Sequence, residues 1–283
     1  MAINRITSRY AGDILFEADA SSVKELLEAA VQSGADLSLS NLSGANLRGA
    51  ELGNGLLSGA KLIKANLTEA KLYAANLEKS DLIGADLSEA RMMAVRLMGS
   101  SLIECNLAGA TLYKASLSEA DLSGADLSRA NLFMADLSRA RLAGCNLLKA
   151  NLRDVDLSGS NLYKATLVRA KLMRARLSGA RLVNATLSGA DLSNAILFRA
   201  DLSAADLSDA TLFKTAFTEA DLSGADLSNA SLWGATLSGA NLSGAILANA
   251  DLNGADLTGA NLDGADLSGV DLSSVNLTGV RGL

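Results

Sequence analysis

The chain has 283 residues, 49% of them hydrophobic but only 4% aromatic, with no Pro, no His and two Cys. The missing imidazole removes the commonest general base and the commonest metal ligand, and two thiols exclude a disulfide scaffold. A formal charge of −6 is too small to name a partner by itself.

The first thirteen residues, MAINRITSRYAGD, lack the apolar run of about 7–15 residues that a signal peptide requires. No later stretch approaches the ~18 apolar residues of a membrane span. With free cysteines, this predicts a cytoplasmic protein. Within residues 1–34, the segment Asp13-Ile14-Leu15-Phe16-Glu17 predicts a strand. Ser22 and Glu25 stand at capping-box spacing, and Gly34 stands where a helix would stop. Between them Val23, Leu26, Leu27, Ala30 and Val31 share one helical face. A strand and a helix are therefore expected to cap whatever follows, a docking module for a partner being the alternative.

From residue 35 to 279 the chain keeps a period of five without a slip. Leu recurs from Leu37 to Leu277 in 49 in-frame copies, replaced only by Met92 and Phe217. Two residues before it stands a small residue, Ala in 37 copies and otherwise Ser, Gly, Cys, Val or Thr. On a strand, residues five apart face opposite sides; on an α-helix they lie about 140° apart. Neither element places every Leu in one core, so the chain must turn a corner in each repeat and stack coil upon coil. Burying each Leu is worth about 1.5–3 kcal/mol.

Residues Ala45-Asn46-Leu47-Arg48-Gly49 and Ala125-Asp126-Leu127-Ser128-Arg129 resemble the pentapeptide-repeat family, with its A(D/N)LXX pattern. The resemblance implies an all-β solenoid: a right-handed quadrilateral β-helix with 20 residues per coil and about twelve coils, a rod about 60 Å long at a strand spacing of ~4.8 Å. Residues 1–34 form its N-terminal cap and 280–283 a short tail. Beyond Val280 only three residues follow, so the last coil is expected to expose part of its core. A homodimer through that face is the first expectation and a different protein partner the second.

No catalytic, cofactor or metal site is expected. The Ser residues after each Leu have no His to activate them. Asp86, Asn106, Asp126, Asn146, Asp206 and Asp226 form ladders that could bind cations, but Asp and Asn favour corners because their side chains bond nearby backbone. Cys105 and Cys145 fall in the small inward slot two coils apart, about 9–10 Å, too far for a disulfide. They are expected to be buried and inert. Matches to N-x-S/T, such as Asn41-Leu42-Ser43, are by-products of the repeat.

Two surface features stand out at 20-residue phase. One outward column holds Tyr73, Met93, Tyr113 and Phe133, then, after Arg153, Met173, Phe213 and Trp233. The opposite column holds Ile63, Ile83, Ile103, Tyr163 and Val183. Such a stripe is either a partner surface or a ladder of rungs stacking on one another. The second feature is charge. Residues 139–181 carry +8, from Arg139, Arg141, Lys149, Arg153, Lys164, Arg169, Lys171, Arg174, Arg176 and Arg181 against two Asp, while residues 1–138 carry −5 and 182–283 carry −9. This girdle is a solvated belt, or it meets an anionic partner or the acidic half of another copy.

The resulting expectation is a non-enzymatic structural or protein-interaction scaffold with a rigid surface, its protein partner undefined, without a membrane or direct nucleic-acid role. The family resemblance adds an alternative. Some members mimic duplex DNA and protect the type II topoisomerase gyrase. The +8 girdle, the missing C-terminal dimerisation helix and the uninterrupted array weigh against it.

Overall fold

The computed structural model describes residues 5–10 and 12–283; the parts of the leader and N-terminal readings that fall on residues 1–4 and 11 lie outside these. The chain divides into two compact units, Met1–Arg141 and Leu142–Leu283. Both are built from the same five-residue step.

In the first unit, residues 86–90 show how that step satisfies the backbone. The Asp86 N–H donates to Ala65 O (3.0 Å), Leu87 N–H to Asn106 O (2.7 Å) and Glu89 N–H to Ala108 O (2.9 Å). Ala90 N–H closes a turn onto Leu87 O (3.1 Å), and Ser88 N–H donates to the Asp86 side chain (3.0 Å). All five donors are paired. The second unit repeats this at residues 206–210, where Ser208 N–H donates to Asp206 Oδ1 at 3.0 Å and Asp209 N–H to Ser228 O at 3.0 Å. The preference for Asp or Asn before the Leu follows: the side chain supplies the acceptor that the corner lacks. Parallel bridges join residues 20 apart in four columns, for example Asn41 to Lys61, Asn46 to Asn66, Glu51 to Lys71 and Leu56 to Asn76. The coil therefore has four sides and 20 residues. The bridging residue is the one before the Leu, and the Leu follows it into the turn.

The interior is the expected ladder of Leu and small residues. The fifth-position residues from Leu37 to Leu262 are at most 4% exposed, Met92 and Phe217 among them. Of the five hydroxyl residues in the small slot, four bond back to the backbone, and buried Ser40 Oγ has no partner among the described residues. Ser80 and Ser100 Oγ donate to Leu77 O and Leu97 O, each at 2.6 Å, and Thr215 Oγ1 to Leu192 O at 2.9 Å. Leu267, Leu272 and Leu277 are only half-buried.

Every corner but the one at Ser274 carries a feature that composition does not announce. The second residue after the Leu adopts positive φ, as the third position of a type II turn requires. Twenty-eight of these residues are not glycine, although the left-handed region costs an L-residue about 1–2 kcal/mol. The ladder holds such residues there by bonding their N–H to the neighbouring coil, as Lys64 N–H does in donating to Ile83 O at 2.9 Å. Ala204 (φ 54°) is exposed at such a corner. Ala204→Gly is expected to stabilise the second unit by about 0.5–1 kcal/mol, the relief being partly offset by the freer unfolded chain. Urea unfolding measures it, and a loss of stability would contradict the strain.

The N-terminal segment contains more than expected. Strand β1 (Arg5–Thr7) pairs antiparallel with β2 (Ile14–Glu17), so the expected strand belongs to a hairpin. Helix α1 (Val23–Gln32) begins at Ser22, whose side chain accepts from Glu25 N–H. The capping box is only half made: Glu25 Oε2 accepts from Ser21 N–H at 2.9 Å instead of from Ser22. Gly34 (φ 75°) ends the helix, with Gly34 N–H on Val31 O and Ala35 N–H on Ala30 O, the paired bonds of a Schellman stop. Hairpin and helix both meet the first coil. Asn41 N–H donates to Thr7 O at 2.9 Å, Glu51 N–H to Glu28 Oε1 at 2.9 Å, and the Arg9 guanidinium to Gly59 O at 2.7 Å.

Candidate interaction surface

Because the Leu points inward, the residue after it points out, and the ladder stacks these residues at one per coil. In the first unit Ala74, Ala94 and Lys114 N–H donate to Met93, Tyr113 and Phe133 O at 2.9, 2.8 and 3.0 Å. That places Tyr73, Met93, Tyr113 and Phe133 in one column. Tyr113 and Phe133 stack with centroids 5.6 Å apart and planes 19° apart, and Lys114 Nζ lies 5.2 Å from the Tyr113 centroid. Tyr73 rests on Gly53: a Cβ there would stand 2.3 Å from a ring carbon, so the glycine makes the seat. In the second unit Met173, Ser193, Phe213 and Trp233 follow Arg153 in the same way. Phe213 and Trp233 stack at 5.1 Å and 3°, with Lys214 Nζ 5.1 and 5.7 Å from their centroids.

The rungs therefore do stack. Yet Tyr73, Met93 and Trp233 remain 42%, 48% and 44% exposed, so the columns also keep apolar area in water. The Ile63, Ile83 and Ile103 column, and Tyr163 with Val183 in the second unit, are half-buried. Tyr163 sits between Lys164 (5.2 Å) and Arg181 (5.1 Å).

The basic residues divide by partner. In the first unit Arg139 pairs with Glu119 at 3.6 Å and Arg141 with Asp121 at 3.2 Å. In the second, Arg174 makes a two-bond fork onto Asp154 (2.6 Å each) and Arg176 meets Asp156 at 3.7 Å. The Arg174 hydrogen bonds hold the Asp154 carboxyl below its ordinary range. Lys164 and Arg181 lie on an aromatic face. Among the described residues Lys149, Arg153, Arg169 and Lys171 form no ion pair. The girdle is thus partly neutralised by its own coils, and the sequence signal that separates the paired cations is a carboxylate 20 residues upstream, as Asp154 stands before Arg174.

Neither thiol is activated as a nucleophile. Cys105 and Cys145 are buried, and burial pushes both thiols up to about 12. Cys105 Sγ donates to Leu82 O at 2.8 Å. Among the described residues no group of His, Cys, Asp or Glu is placed to hold a metal ion. Asn106 Nδ2 donates to Asp86 Oδ1 at 3.0 Å, so that part of the ladder is bonded within itself. No described helix is long and apolar enough to cross a membrane.

A family model for pentapeptide repeats matches this chain in eight copies, within residues 27–88, 96–132, 135–212 and 215–279. The chain belongs to the pentapeptide-repeat family. Among solved structures of pentapeptide-repeat proteins it is similar to HetL, described as involved in heterocyst differentiation regulation, from the cyanobacterium Nostoc sp. strain PCC 7120. The identity is 34%, covering 80% of this chain and 89% of HetL, with a TM-score of 0.28. Rfr23 from the cyanobacterium Cyanothece 51142 is 42% identical over 34% of this chain and 58% of its own, with a TM-score of 0.24. A trypsin-treated form of QnrB1, a plasmid-mediated fluoroquinolone resistance protein, is 23% identical over 68% of this chain and 91% of its own, with a TM-score of 0.42. No curated protein matches.

Proposed function

We propose that this pentapeptide-repeat protein is a non-enzymatic, cytoplasmic interaction scaffold, a right-handed helix of about twelve coils closed at its start by the hairpin and α1. One observation carries the reading: aromatic side chains stay exposed on rungs whose backbone donors are already used within the ladder. A surface of that kind is fixed in advance, so a partner binds without the ordering cost that a flexible loop would impose. Exposed aromatic and Met side chains are also those that anchor protein contacts. The partner is a protein.

The test is cross-linking capture from source cells, comparing the parent with a variant carrying Tyr113→Ser, Phe133→Ser, Phe213→Ser and Trp233→Ser. These side chains lie outside the Leu core, so the variant is expected to fold, as circular dichroism verifies, and to lose the captured partner. Unchanged capture would make the column a stacking ladder only. The gyrase-protecting alternative draws on the Asp201–Asp221 and Asp206–Asp226 bridges, which set carboxylates on successive coils. A gyrase supercoiling assay with a quinolone separates the two, since absence of protection removes the alternative.

A further inference from the structure

On two sides of the second unit, opposite charges meet on neighbouring coils: Arg174 with Asp154 on one, and Arg176 with Asp156 and Arg199 with Glu219 on the next. On a third, Lys164 and Arg181 lie against the Tyr163 ring. Among the described residues the fourth side shows neither arrangement. Its rungs are joined by the parallel bridges Asn146 to Thr166, Thr166 to Thr186, Thr186 to Asp206 and Asp206 to Asp226. Along its corner stand Lys149, Arg169, Gly189 and Asp209 in succession, one per coil, all exposed and all at positive φ. The cations occupy the first two rungs beside Leu148 and Val168. The third rung is flat and uncharged, with Thr186, Ser188 and Gly189. The carboxylates Asp206, Asp209 and Asp226 occupy the next two. Among the described residues none of these five charges is in an ion pair. A shallow groove runs along the corner from Lys149 through Gly189 to Asp209. Arg169 and Asp209 are two rungs apart, about 9–10 Å at the strand spacing, which is beyond direct pairing within one chain.

We infer that this side binds the same side of a second copy, about a two-fold axis lying along the rung 186–189. Such an axis turns rung upon rung in reverse order while keeping position along each rung. Arg169 then faces Asp209 of the second copy, and Asp209 faces its Arg169. Lys149 lies one rung from the same carboxylate. Thr186, Ser188 and Gly189 meet their own equivalents at the axis, where the missing Gly189 side chain allows close approach. The coil repeat is identical in both copies, so the register that pairs one rung pairs them all. Contacts of this kind, in which residue i meets j and j meets i, are what a two-fold dimer requires. Like charges stacked on adjacent coils repel, and a partner carrying the opposite sequence of charge relieves this on both chains at once.

This assignment rests on the scaffold reading only in taking the outward residues as contact surface; its test uses no aromatic position. Sedimentation of the parent at low ionic strength is expected to show a dimer that dissociates in about 1 M salt, where the screening length falls to about 3 Å. Lys149→Glu with Arg169→Glu makes the side wholly acidic. Asp206→Lys with Asp209→Lys makes it mostly basic. Each variant alone is expected to weaken dimerisation about 10-fold or more, and an equimolar mixture of the two to restore it as a heterodimer. Restoration also proves both variants folded. A parent that is monomeric at low salt overturns the self-pairing and leaves the aromatic capture result untouched. A dimer that both reversals leave intact overturns the assigned side and moves the contact elsewhere, the half-buried Leu267, Leu272 and Leu277 included.

Discussion

Phe217→Ala is expected to destabilise the second unit by about 3–5 kcal/mol, whereas Phe217→Leu costs less than about 1.5 kcal/mol. Phe217 is the largest fully buried side chain and 0% exposed. It stands in the Leu column between Leu197 and Leu237, both also 0% exposed, and its N–H bonds to Thr236 O at 2.7 Å. Truncation opens a cavity that the ladder cannot close, because the coils above and below are fixed by their backbone bonds. Leucine is what the other coils use, so that replacement refills most of the space. A loss of this size is a large share of the 5–15 kcal/mol typical of folded domains. Urea unfolding gives both values. A cost below about 1 kcal/mol for Phe217→Ala would mean that the column is not a close-packed shaft.

The second large effect is at the opposite end of the chain and is local. Leu26 and Leu27 are 0% exposed. Helix α1 lies on the first coil: Glu28 accepts from Glu51 N–H, and Val31 Cγ2 is 3.2 Å from where a Cβ on Gly55 would stand. Leu26→Ala with Leu27→Ala removes about 2–5 kcal/mol per site. In a stack where each coil touches only its neighbours, the loss stays near the site. Hydrogen exchange is expected to accelerate at amides of residues 41–61 while those of residues 200–240 keep their protection. Uniform acceleration would show that the two regions unfold together. Unchanged exchange at 41–61 would show that the helix is not what protects the first coil.

Much of this molecule is legible in its sequence because one side chain repeats without interruption. The Leu and Ala columns and the stop at Gly34 follow from spacing and from the size of the residue in each slot, whereas the four-sided coil follows from the resemblance to the pentapeptide-repeat family. The corner conformation does not. Glycine marks only part of the positive-φ positions, and Lys64, Glu89 or Lys214 (φ 53°, 57° and 51°) carry no preference that would reveal it; the ladder imposes it from the next coil. Strand β1 is hidden for a related reason, since Arg-Ile-Thr offers one apolar residue and depends on β2 for its shape. The Glu25 bond to Ser21 turns on a choice between two adjacent serines that spacing does not make. As for the surface, the aromatic stacks were visible at 20-residue phase. The basic residues by themselves spread over all four sides at 20-residue phase, and the segregation of Lys149 and Arg169 from Asp206 and Asp209 shows only when the acidic residues are sorted by side with them.

Two periods coexist in one chain, five residues for the interior and twenty for the exterior. Duplicating a single five-residue unit would leave every Leu in its shaft and move each downstream side chain a quarter turn around the barrel. Duplicating four would lengthen the particle and re-address nothing. Growth of such a protein can thus redraw its outer pattern in one genetic step at almost no cost to folding, and an alignment that ignores phase would compare positions that point in different directions.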